Sequence, residues 1–243
     1  MQDILEILPD NFSKQKVNYD KLLQKLIQSW QSQSVRPSLL IHTCCAPCST
    51  YTLEYLTKYA DVSIYFANSN IHPKEEYLRR KNEQEIFIKK FNKQNNQNVK
   101  FIAAPYQPEA FHQLVRDNDL ANEKEGGLRC QACFRYRLDI VAKKALELGF
   151  DYFGSALTIS PHKNSQVINE IGIEVAKLYA TKYLPSDFKK NNGYLRSIEL
   201  CEEYDVYRQC YCGCIYGAKD QEIDLKQVLD EAKEYLKQHE IKV

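Results

Sequence analysis

The chain has 243 residues, 44% of them hydrophobic, with 33 basic against 32 acidic side chains and a formal charge of +1. That length buries a real core and fits one α/β domain with additions. The balanced charge excludes a global field drawing the protein onto nucleic acid or anionic lipid, so any RNA contact must come from a local patch.

No stretch approaches the roughly 20 apolar residues needed to cross a bilayer. The mixed, acidic start MQDILEILPDNFSKQ has no basic segment leading into an apolar run, so no secretory signal or membrane role is expected and the protein is read as cytoplasmic. Nine cysteines in a reducing compartment then point to metal binding or redox chemistry rather than to a disulfide scaffold.

In chain order, Leu22, Leu23, Leu26, Ile27 and Trp30 share one face at helical spacing, and the polar run QSQSVRPS ends that helix. Leu39-Leu40-Ile41-His42 reads as a first strand, followed by a helix with Pro47 in its first turn and Leu53 and Leu56 on it. Val62 to Ala67 is a second strand, and a long charged helix runs from about Lys74 to Phe91. Val99 to Ala103 is a third strand. Phe134, Leu138, Val141, Ala145 and Leu148 form a helical stripe stopped by Gly149. Tyr152 and Phe153 open a fourth strand, Val167 to Leu178 a further helix, and Leu225 to Leu236 the last one. Strands separated by helix-length segments imply right-handed crossovers and a mainly parallel sheet with helices on both faces. Sites in such sheets form at the carboxyl ends of the strands.

The cysteines fall into three groups placed to fit that rule. Cys44-Cys45-Ala46-Pro47-Cys48 sits where strand one hands over to a helix, and Cys130-Gln131-Ala132-Cys133 precedes the Phe134 stripe. Helix N-termini favour the thiolate, which is the form that binds metal or attacks. Two pairs of thiolates make four ligands, enough for a [4Fe–4S] cluster or a tetrahedral zinc. Neighbouring side chains diverge, which is awkward for one small zinc ion, whereas a larger cluster, or a cluster beside another ion, can use both Cys44 and Cys45. Cys45-Ala46-Pro47-Cys48 also looks like a thioredoxin dithiol, but such domains are much shorter and need no second pair. Cys210-Tyr211-Cys212-Gly213-Cys214 lies in a glycine-containing turn. Cys212 and Cys214 read either as a strained, redox-active pair or as further metal ligands and passive thiols. Cys201 reads as a small buried hydrophobe.

Together, HTCCAPCS (42–49), RCQAC (129–133) and YRQCYCGC (207–214) resemble the QueH type of epoxyqueuosine reductase. The blocks NSNIHP (68–73), TISPHKN (158–164) and LPSDFKK (184–190) agree, and the resemblance runs from about residue 38 to 217. It implies a fold like the adenine-nucleotide α-hydrolase (PP-loop) superfamily. It also implies a two-electron removal of the epoxide oxygen from epoxyqueuosine at the wobble position of tRNA, giving queuosine. By motif it implies Cys44, Cys45, Cys130 and Cys133 as ligands of a [4Fe–4S] cluster, and Cys212 and Cys214 as a redox-active disulfide pair. The position of Cys48 is sometimes a carboxylate in the family, which makes Cys48 the candidate for a second iron. The Ser-Gly-Gly nucleotide loop of the superfamily is replaced by the cysteine loop, so no ATP is expected. The chain then divides into an N-terminal helical extension (1–36), an α/β iron–sulfur catalytic domain (37–217) and a C-terminal helix packed on that domain (218–243).

The chemistry also needs an electron donor, which the sequence does not identify, and a proton donor, for which His162 after strand four is the candidate. His42 reads as structural or as a support for the metal ligands. For the substrate RNA, Arg129, Arg135, Lys163 and Arg208 are the candidate contacts, with Tyr136 and Arg137 beside them and Lys189, Lys190 and Arg196 as a second cationic group. Two rivals remain: another iron–sulfur tRNA-modifying enzyme such as a thiolase, and a zinc-stabilised RNA-binding module without activity.

Overall fold

A computed structural model describes residues 1–242. Its centre is a sheet of four short strands: β1 (Ser38–His42), β2 (Asp61–Phe66), β3 (Lys100–Ala103) and β4 (Tyr152–Ser155). Every pairing is parallel and the spatial order is β3-β2-β1-β4. In β1, Leu39, Leu40 and Ile41 are fully buried, the continuous apolar run expected of a strand covered on both faces. A single parallel bridge from Phe153 to Tyr183 extends the sheet edge beyond β4.

The helices are α1 (Tyr19–Ser32), α2 (Ala46–Leu56), α3 (Lys74–Asn95), α4 (Pro108–Asp117), α5 (Leu128–Leu148), α6 (Ser165–Tyr179), α7 (Gly193–Glu203), α8 (Ile215–Asp220) and α9 (Leu225–Gln238). The chain steps outward from β1 to β2 to β3, then returns past β1 to lay down β4. Right-handed crossovers in both directions put α2 and α3 on one face and α5 on the other. The reversal point lies between β1 and β4. There the loops leaving the two strands diverge and open a crevice at their carboxyl ends.

Local signals account for most boundaries. Asn164 caps α6 through Gln166 N–H at 2.9 Å, Asp224 caps α9, and Gly149 ends α5 in the left-handed region. α3 runs past Phe91 because its stop is Asn96, left-handed at φ 50°, and not an apolar boundary. Three short helices, α4, α7 and α8, were not expected from periodicity. In α7 the buried face is Gly193, Ser197, Leu200 and Cys201, too short and mixed to show a stripe.

Both ends of the chain join the main body. Ile4, Leu23, Leu26 and Trp30 belong to the same buried cluster as the strand residues, and Trp30 Nε1 donates to Tyr152 Oη at 3.3 Å. α9 lies on α3, where Asn82 Nδ2 donates to Tyr235 Oη at 2.8 Å. No described helix is long and apolar enough to cross a membrane.

Candidate active site

β1 ends at His42, which is fully buried and ties three strand ends together. Its Nδ1 lies 3.2 Å from Ser155 Oγ at the end of β4, and its Nε2 lies 3.3 Å from the Ala67 carbonyl and 3.2 Å from Asn68 Oδ1 after β2. Two acceptors around Nε2 place the proton there and leave Nδ1 to accept from Ser155. Burial and the nearby Arg137 charge push the imidazole down to about 3, so it stays neutral. The cysteine loop therefore leaves a rigid platform.

Two residues on, Cys44, Cys45 and Cys48 bring their sulfurs together. The separations are 3.5 Å for Cys44–Cys45, 3.5 Å for Cys44–Cys48 and 3.1 Å for Cys45–Cys48. Cys45 is the residue at the α2 N-terminus and Cys48 is in its first turn, so unpaired amides and the helix dipole face this cluster. Hydrogen bonds from Cys45 and Cys48 hold Cys44 well below the usual thiol range, while burial pushes Cys45 up to about 12 and hydrogen bonds with Cys44 and Cys45 push Cys48 up. Cys44 is thus the most acidic of the three. The triad could hold a metal ion.

The other two groups face the same crevice. Cys130 and Cys133 lie in the first two turns of α5, and the Gly126 amide donates to Cys130 Sγ at 3.1 Å. Burial pushes Cys133 up to about 11 and Cys214 up to about 12, and it raises Cys212 as well. Arg137, one turn after Cys133, is buried, and burial opposes its charge. Its charge is held by Cys133, Cys44, Cys212 and Cys130. Lys163, half-buried, is held likewise by Cys44, Cys48 and Cys212. Neither cation makes an ion pair with a carboxylate among the described residues. The sulfur groups from β1–α2, α5 and the Cys212 loop thus act on the same two cations. The direct sulfur contacts, however, join Cys48 rather than Cys130 or Cys133 to Cys44 and Cys45.

Two cavities open beside the sulfurs. One, of about 350 Å³, lies between α7, the loop after β4 and residues 208–212, with Cys48 on its wall. The other, of about 200 Å³, is lined by Cys130, Cys133, Cys212 and Cys214 together with Arg129 and Arg137. Cys212, Glu125, His162 and Lys163 border both.

The expected redox-active disulfide is absent: Cys212 and Cys214 are both free thiols, as is every cysteine of the chain. The turn between them is anchored from outside. Gly213 has φ 101°, and its carbonyl accepts from His72 N at 2.8 Å. Among the expected RNA contacts, Arg129 is buried and spent on Asp220, at 2.6 Å, and on the Ala121 and Glu123 carbonyls. Arg135 is exposed and paired with Glu174, away from both cavities. Arg208 and Lys163 line the larger cavity, and His162 stands exposed at its edge. In the second cationic group, Arg196 is neutralised by Glu54, Glu199 and Glu203. Lys189 donates to the Thr158 and Lys163 carbonyls at 3.0 and 3.2 Å, and so shapes the loop bearing His162 and Lys163.

Gln209 carried no expectation, yet its Nε2 donates to Cys45 Sγ at 2.9 Å. Only its place in the YRQCYCGC run marked it. The buried Glu76–Arg80 pair, at 2.7 Å, was hidden in a charged helix. Arg137 falls four residues after Cys133, a spacing that puts both on one helix face.

Fold and site define an α/β protein whose thiol-lined crevice, at the strand-order reversal, can take a metal ion. The profile of the family "Epoxyqueuosine reductase QueH" matches residues 39–220. An epoxyqueuosine reductase QueH of Staphylococcus aureus is 60% identical over 234 residues, covering 96% of this chain and 98% of that protein. One of Streptococcus pyogenes is 60% identical over 97% of this chain and 92% of its own length, and one of Thermotoga maritima 31% over 74% and 90%. The chain belongs to the epoxyqueuosine reductase QueH family. Among solved structures, the U34-tRNA thiolase NcsA of Methanococcus maripaludis, with its [4Fe-4S] cluster, aligns with a TM-score of 0.46 and 12% identity, covering 89% of this chain and 79% of that one.

Proposed function

We propose that the protein reduces epoxyqueuosine to queuosine at the wobble position of tRNA, using an iron–sulfur site in this crevice. The observation that carries the reading is the Cys44, Cys45 and Cys48 sulfurs gathered within 3.5 Å of one another, beside a buried Arg137 and a half-buried Lys163 that have no carboxylate partner among the described residues. Two such cations near neutral thiols would be unstable. They fit an anionic, thiolate-ligated group. Cys44, Cys45, Cys130 and Cys133 would hold a [4Fe–4S] cluster, and Cys48, in contact with the first two sulfurs, would hold an adjacent iron ion. When bound, such a cluster supplies electrons one at a time.

The remaining roles fall to the chain's own groups. Converting the epoxide to an alkene consumes two electrons and two protons and releases water. Cys212 and Cys214, protonated and free, would give up two electrons and two protons on closing to a disulfide, which an external electron donor then reopens. Lys163, on the wall common to both cavities, would hold a proton for the departing oxygen, and His162 at the edge would resupply it. With tRNA as substrate, the protein works in the cytoplasm.

Anaerobic loading with iron and sulfide, followed by nucleoside mass analysis of treated tRNA, tests this. The expected product is lighter by one oxygen, and the protein is brown with broad absorption near 400 nm. Unchanged epoxyqueuosine would refute the reading. A gain of sulfur would assign a thiolase instead, and a colourless protein with stoichiometric zinc an RNA-binding module.

A further inference from the structure

We propose that the 350 Å³ cavity between α7, the loop after β4 and residues 208–212 is the pocket into which the wobble base is extruded, with Gln209 reading its hydrogen-bonding edge. The inference rests on the tRNA reading above and adds where the base goes and what recognises it.

Size separates the two cavities first. Small-molecule pockets span roughly 300–1,000 Å³, and only the larger cavity reaches that range, the other being about 200 Å³. Chemistry separates them next. The smaller cavity is lined by four thiols and three cations, Arg129, Arg137 and Lys163, a surround for an inorganic group. The larger one grades from charge to contact. Its outer edge carries the exposed Arg208, placed to meet a phosphate flanking an extruded nucleotide, with His162 and Lys163 on the wall beside it. Tyr194, half-buried on α7, offers a stacking face, and Ser197 and Cys201 close the floor. Cys48 and Cys212 stand on the wall, so a seated base would lie beside sulfur.

Gln209 supplies the specific contact. Its Nε2 is committed to Cys45 Sγ, which leaves Oε1 buried with no hydrogen-bond partner. An unpaired buried acceptor costs about 1–3 kcal/mol. A purine-like base presenting N–H groups along its edge would satisfy it. The same side chain would then touch the base with one atom and the sulfur triad with the other, fixing the distance between substrate and metal site.

The test uses full-length, metal-loaded protein under anaerobic conditions and two anticodon stem-loop RNAs, one with epoxyqueuosine and one with an abasic wobble nucleotide. Wild type should bind the modified loop more tightly than the abasic loop. Gln209→Leu should cut that preference about tenfold, or about 1.4 kcal/mol, through the modified loop alone. Ser197→Phe, which fills the floor, should do the same and covers the case in which Gln209→Leu loses metal or fold. Preference retained in both variants, each shown folded by its melting curve, would overturn the assignment. So would loss of the preference in Val167→Phe, which crowds the smaller cavity, when the other two retain it. A wild type with no preference also overturns the pocket, whereas failure to reduce epoxyqueuosine in the turnover assay overturns the functional reading itself.

Discussion

Among single side chains, Arg137 is the one whose position demands an explanation. A buried guanidinium is normally paired with a carboxylate, whereas Arg137 has none among the described residues and lies within the influence of Cys133, Cys44, Cys212 and Cys130. Groups that support metal ligands typically change metal affinity by about 10–100-fold when removed. Arg137→Leu should therefore lower iron retention against a chelator by that order, Arg137→Lys should recover part of it, and full retention in the Leu variant would sever Arg137 from the metal site. The cysteines themselves divide by role. Cys44→Ala and Cys130→Ala should abolish the visible absorption, while Cys212→Ala should keep it and lose turnover; bleaching by Cys212→Ala would make Cys212 a ligand. The three cysteine motifs were legible because cysteine spacing is local and chemically loud. The arginines were not, because nothing in RCQACFRYR says which of Arg129, Arg135 and Arg137 points inward. Helical geometry and the partner segments decide that: Asp220 captures Arg129, Glu174 holds Arg135 at the surface, and sulfur keeps Arg137.

At the scale of elements, α3 governs the third cysteine loop. Glu76 and Arg80, both buried, pair with each other and bond to that segment. Tyr207 Oη donates to Glu76 Oε1 at 3.2 Å, and Arg80 donates to the Tyr211 carbonyl at 3.2 Å, its guanidinium lying 5.0 Å from the Tyr211 ring. A Cβ on Gly213 would come within 2.7 Å of Ile71 Cγ1 and 3.1 Å of Arg80 Nη1, in a φ of 101°. Gly213→Ala should cost about 1–3 kcal/mol, read as a lower urea midpoint together with faster alkylation of Cys212. Breaking the ion pair from one side leaves an unpaired buried charge. Glu76→Leu or Arg80→Met should each cost about 3–5 kcal/mol, and the double variant less than either. Additive costs would show that the pair is not a unit. In the sequence, Glu76 and Arg80 look like a solvated i,i+4 pair on a charge-rich helix, and the burial that reverses that reading comes from residues more than a hundred positions away.

For the molecule as a whole, the alternation of strands and helices was enough to expect a parallel sheet with its site at the carboxyl ends. The strand order, and with it the place where the crevice opens, follows from which side of β1 receives β4, a choice no local pattern encodes. The same limit applies to the N-terminal helix. Its apolar stripe was plain, and the family profile begins only at residue 39, yet α1 is not an appendage in its packing. Trp30 is buried, its ring centroid is 5.4 Å from that of Tyr152 on β4, and Tyr152 pairs in the sheet with Leu39, three residues before His42 and the cysteine loop. Removing a buried tryptophan leaves a cavity worth about 3–5 kcal/mol. If α1 and the sheet share one core, Trp30→Ala should shift a single cooperative unfolding transition by that amount, with the visible absorption of the loaded protein lost in the same transition. An early, separate transition that leaves the absorption and the main midpoint intact would instead make residues 1–36 an independent attachment.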